Sequence, residues 1–108
     1  MKKFTIPLVD KVFYIYVGEK EWEQFKNDSI DNGANESRNE PYPGEESGRA
    51  GGSWIWIDAL TDTQTLYHEL SHFIDHLMKY LGSNDDEFRA YLTSWVMHNV
   101  LKWSGKRK

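Results

Sequence analysis

Three residues in the stretch TLYHELSHFID, positions 65–75, have types and spacings that let them do chemistry together: His68, Glu69 and His72. Histidines at i and i+4 project from one face of a helix, so their rings can converge on one ion. Zinc takes two imidazoles at about 2.0–2.1 Å and needs a third protein ligand, with a position left open for water. Glu69 follows His68 directly and is rotated from it by about 100° on a helix. It therefore flanks the ion instead of binding it, where a carboxylate can take a proton from metal-bound water. The bland alternative is three polar residues on an ordinary helix. The neighbours Leu66, Leu70, Phe73 and Leu77 weigh against it, because they predict half-buried imidazoles, which are costly without a partner.

The third ligand is open on residue grounds. An extended motif would need Gly at 75 and His at 78, but Asp75 and Met78 stand there. His76 continues the stripe of His68 and His72, yet a rise of 1.5 Å per residue places it about 9 Å along the axis from the midpoint of the pair. It reads as a packing or hydrogen-bonding residue. Asp85, Asp86 and Glu87 follow on the next helix. Glu87 has Tyr91 at i+4, on the expected apolar stripe, but Asn84-x-x-Glu87 also fits a capping box. If the motif helix ran straight to Leu81 and turned back tightly, Tyr91 would face His72 and Glu87 would fall short. Asp75 either orients an imidazole from outside the ligand set or pairs with Lys79 at i, i+4.

The elements that must position these residues are legible in outline. FTIPLV (4–9) and VFYIYVG (12–18) are β-rich runs around Asp10-Lys11, which predicts a hairpin with Pro7 at an edge or bulge. EKEWEQFKNDS (19–29) sets Trp22 and Phe25 on one side of a short amphipathic helix. Residues 31–52 hold five glycines and two prolines and read as a loop, mobile and near the active-site cleft. SWIWID (53–58) reads as a strand at the sheet edge beside the metal, where an extended peptide could add. Its Trp54 and Trp56 are expected in the core. Thr61 and Gln64 supply a capping box for the motif helix, and Gly82 a left-handed close near Leu81. The last helix carries an apolar stripe of Phe88, Tyr91, Leu92, Trp95 and Val96.

A chain of 108 residues fits one domain spanning 1–108, with five Trp, six Tyr and five Phe as core material. The formal charge of −4 argues against nucleic acid as a partner, and Lys106-Arg107-Lys108 reads as a solvated end. Cysteine is absent, so disulfides and thiolate ligands are excluded and any zinc falls to histidine and carboxylate. No apolar run is long enough for a membrane span. Mean hydropathy is −0.72, and the expected compartment is the cytoplasm.

The segment HELSHFIDHLMKYLGSNDDEFRAYLTSWV (68–96) resembles the gluzincin class of zinc metallopeptidases. It is most similar to very small proteins encoded by bacteriophages and prophages, in which HExxHxxD precedes a helix carrying E-x-R-A-Y-L or a close variant. Here the matching positions are His68, Glu69, His72 and Asp75, then Glu87, Arg89, Ala90, Tyr91 and Leu92, with Phe88 at the variable place. The resemblance covers about the last third of the chain strongly and the first 50 residues only in coarse element order. It implies that Glu87 is the third zinc ligand and Glu69 the general base. It also implies an α+β, zincin-like fold, a small, mainly antiparallel sheet packed on the motif helix and a C-terminal glutamate-bearing helix. The implied function is zinc-dependent hydrolysis of peptide bonds in a peptide or protein substrate, in the host cytoplasm if the chain is phage-encoded. A non-catalytic zinc-binding phage accessory or interaction protein is the alternative.

Overall fold

The chain begins with alternation. In KKFTI, Phe4 and Ile6 are buried while Lys3 and Thr5 are exposed, the period-two pattern of a strand with one face on a core. A computed structural model describes residues 1–31, 48–51 and 53–107. It contains β1 (Lys2–Ile6), β2 (Lys11–Val17), α1 (Gly18–Asp31), β3 (Gly48–Gly51), β4 (Trp54–Ile57), α2 (Thr63–Leu81) and α3 (Asp86–Arg107). The expected hairpin forms between β1 and β2. Pro7 lies in its turn and Asp10 closes the turn at φ 52. Aspartate is among the few residues that tolerate this left-handed conformation.

The sheet is mixed, in the order β1-β2-β4-β3. β1 with β2 and β3 with β4 are antiparallel, but β2 and β4 are parallel, pairing Ile15 with Ile55 and Val17 with Ile57. Parallel neighbours need a long crossover, and α1 lies within it. Two expectations are corrected here. The strand read at 53–58 is interior, hydrogen-bonded on both sides. The edge on that side of the sheet is β3, inside the stretch 31–52 that reads as loop. Four residues with glycine at both ends, GRAG, carry too little β-propensity to be seen in sequence. Most of that stretch, 32–47 and Gly52, with its expected mobility, lies outside the described residues.

Strand alternation feeds two cores. Phe4, Ile6, Phe13, Ile15, Ile55 and Ile57 face the layer of α2 and α3, where Leu66, Leu70, Phe73, Leu77, Leu92, Val96 and Val100 meet them. Tyr16 and Trp56 face the other way and pack with Trp22 and Phe25 of α1. Each apolar side chain so buried contributes about 1.5–3 kcal/mol. Trp56 is in the core as expected, and its indole N–H donates to the carbonyl of Gly18 at 2.8 Å. Gly18 starts α1 at φ +77, a conformation glycine adopts freely.

Candidate metal centre

α2 starts one residue later than the expected Thr61–Gln64 box allows. Asp62 is the cap: its Oδ1 accepts from the Thr65 N–H at 3.1 Å and its Oδ2 from the Thr65 hydroxyl at 2.6 Å. A carboxylate offers two acceptors and a negative charge to the helix N-terminus, more than a threonine can. The Thr65 hydroxyl and then the Thr65 amide hold the Asp62 carboxyl below the usual carboxylate range. The other end follows expectation. Gly82 is left-handed at φ 68, its N–H reaching the carbonyl of Lys79 while Ser83 N–H reaches Met78.

Between these caps the helix is unbroken, which places His68, His72, Asp75 and Lys79 along one exposed stripe. The expected half-burial of the imidazoles is not found; both rings are exposed. Leu66 and Leu70 stand two residues either side of His68 and therefore project to nearly the opposite side of the helix, about 160–200° away. The two rings nonetheless turn toward each other. Their Nε2 atoms lie 3.1 Å apart, with ring centroids at 4.6 Å and planes at 90°. Two imidazole nitrogens bound to one tetrahedral ion at about 2.0–2.1 Å would stand about 3.3 Å apart, so the pair fits a shared ion. With no ion, the same distance suits a hydrogen bond from one ring N–H to the other ring nitrogen.

Glu69 lies on the neighbouring stripe with Phe73, His76 and Tyr80, and it is buried at 7% exposure. Glu87 is exposed in the first turn of α3. Among the described residues, no three His, Cys, Asp or Glu side chains stand together as a metal-holding group. α2 is helical to Leu81 and α3 begins at Asp86, so a short turn joins the helix of the histidines to that of Glu87. The capping reading of Glu87 is corrected too. Asp85 caps α3, its Oδ1 accepting from the Phe88 N–H at 3.0 Å, which leaves the Glu87 carboxylate out of the cap. Tyr91 is 40% exposed, off the buried stripe, which runs through Leu92, Val96 and Val100 with Phe88 half-buried ahead of them.

Asp75 neither hydrogen-bonds His72 nor Lys79. It receives the Arg89 guanidinium, which holds its carboxyl below the usual range, with smaller help from His72 and Lys79. This ion pair ties the first turns of α3 to the stripe that carries the histidines. Sequence reasoning missed the pairing, although an acid ending the first half-motif and a base in the second were its signal. His76 is exposed and lines a cavity of about 410 Å³ with Lys11, Ser53, Trp54, Phe73, Leu77 and Tyr80. Comparison with known proteins finds no matching family model, no matching curated protein and no matching solved structure.

Proposed function

We propose that the chain is a zinc-dependent peptidase in which His68, His72 and Glu87 hold the metal and Glu69 is the general base. The observation that carries this reading is the facing of the two Nε2 atoms at 3.1 Å on one unbroken helix. The Asp75–Arg89 pair supports Glu87 as third ligand, because it pulls the start of α3 toward the histidine stripe. Zinc, when bound, supplies Lewis acidity and a water of lowered pKa. Glu69 would serve as the base there, taking up a proton on its carboxylate and giving it to the leaving amine nitrogen. The short antiparallel edge β3, packed against α2, suits a zincin-like arrangement. An extended peptide or protein substrate would add there as a further strand. Nucleic acid and membrane have no part in this reading, and we place the protein in the cytoplasm, that of the host if a phage encodes it.

A non-catalytic zinc-binding accessory protein is the second reading, favoured by the burial of Glu69 and by the lack, among the described residues, of a third His, Asp or Glu grouped with the pair. Metal analysis after purification without chelators tests both. Close to one zinc per chain is expected, lost in His68→Ala and in His72→Ala. If no divalent ion binds even after reconstitution, neither reading survives. Zinc in the wild type with no exchangeable water on it selects the accessory protein.

A further inference from the structure

The cavity beside His76 has a composition that the metal chemistry does not use. Its walls are Trp54, Phe73 and Leu77, and its polar groups are Lys11, Ser53, His76 and Tyr80. Among the described residues no carboxylate lines it, in a chain with 17 Asp and Glu. Its volume, about 410 Å³, is within the range of small-ligand pockets, about 300–1,000 Å³. The Lys11 ammonium lies 4.0 Å from the centroid of the Tyr80 ring. A hydrogen bond between these two holds the Tyr80 phenol below its usual range. An apolar floor under one positioned cation and a hydroxyl matches a ligand with an aromatic or aliphatic body and one negative end.

Position says what that ligand is. Phe73, His76 and Tyr80 continue the stripe of Glu69 at i+4, i+7 and i+11. The cavity therefore opens on the base's side of α2, about 6–10 Å along the axis beyond the histidine pair at 1.5 Å per residue. An extended peptide covers that distance in about two or three residues at 3.3 Å each.

We propose that this cavity binds the C-terminal residue of a peptide. Phe73, Leu77 and Trp54 enclose an apolar side chain, and Lys11, with Ser53 and His76, receives the free α-carboxylate. The placement relative to a scissile bond rests on the peptidase reading above. Carboxylate recognition does not, and it gives that peptidase a substrate class: peptides trimmed of a few residues from the C-terminus.

The test is binding without cleavage. A fluorescent hexapeptide ending in Phe is titrated, as the free acid and as the C-terminal amide, into the His68→Ala/His72→Ala protein, which cannot hydrolyse it by a zinc route. The free acid is expected to bind about tenfold or more tighter than the amide, the scale of a charge-assisted hydrogen bond. Lys11→Met should erase that preference, and Lys11→Glu should reverse it. Circular dichroism checks that each variant is folded. Equal affinity for acid and amide in a folded protein overturns carboxylate recognition, as does a preference that Lys11→Met leaves intact; no binding of either overturns the site. Failure of the wild type to cleave any peptide, with acid-selective binding intact, overturns only the peptidase reading.

Discussion

Glu69 and Glu87 have the same functional group and different surroundings, and the proposed roles follow from that difference. Glu69 sits between the histidines in sequence and is buried at 7% exposure; a carboxylate held so is positioned to move a proton repeatedly without swinging away. Glu69→Gln is expected to keep zinc and lose hydrolysis, since the amide has the shape but no basicity at neutral pH. Cleavage at the wild-type rate would remove it from the base position. Glu87 is exposed and free of the α3 cap, which Asp85 provides. Glu87→Ala should therefore leave the melting temperature nearly unchanged while weakening zinc binding at least about 10–100-fold, the lower bound set by losses of outer-shell partners. Isothermal titration with zinc reads this directly. Unchanged affinity would pass the third position to Asp85, Asp86 or His76.

At the scale of the element, α2 shows what sequence can and cannot reveal. Its existence, its end at Gly82 and its motif stripe were legible, because periodicity and a left-handed glycine are local signals. Its first residue was not, since Thr61 and Asp62 both qualify as caps and only tertiary context chooses between them. The same limit hid β3, whose GRAG sequence has no strand signature and is ordered by pairing with β4. The parallel β2–β4 register was invisible for the same reason: pairing partners are distant in sequence, and Ile55 matches Ile15 only once α1 has returned the chain. Tyr91 was misplaced by an i+3 reading of α3, where burial follows i+4 steps. The Asp62 cap also sets a pH response. Its folded pKa is lowered by Thr65, so its stabilising effect is complete at neutral pH. That effect erodes as pH falls through the ordinary aspartate value of about 3.9 and is gone below the folded value. Asp62→Asn keeps a capping acceptor that does not titrate. Thermal melts from pH 7 to pH 3 should show the two proteins similar at neutrality, with the aspartate protein losing more stability in acid. Parallel loss in both would assign the response elsewhere.

Across the whole molecule, the sheet separates two kinds of work. The face toward α2 and α3 carries the candidate metal stripe on its outer side. The face toward α1 carries an aromatic cluster of Tyr16, Trp22, Phe25 and Trp56, against which the cavity wall Trp54 packs. Among the described residues no helix is long and apolar enough to cross a membrane. Trp56→Ala should cost about 3–5 kcal/mol, as for other large core aromatics, against a total stability of about 5–15 kcal/mol for a domain. Chemical denaturation measures it; a loss below 1 kcal/mol would mean that α1 is not firmly docked.

Trp22 and Trp56 also place two indoles 4.9 Å apart at 67° between ring planes. Chromophores that close and that oblique share their excited states, so the protein should carry a paired positive and negative band in circular dichroism that neither indole produces alone. Trp22→Phe should collapse the pair of bands to a single weak one. Because the coupled rings lie on the face away from the histidines, zinc titration should leave the bands unchanged while unfolding of α1 erases them. The molecule thus contains its own optical gauge for one half of its architecture, separate from any signal at the metal.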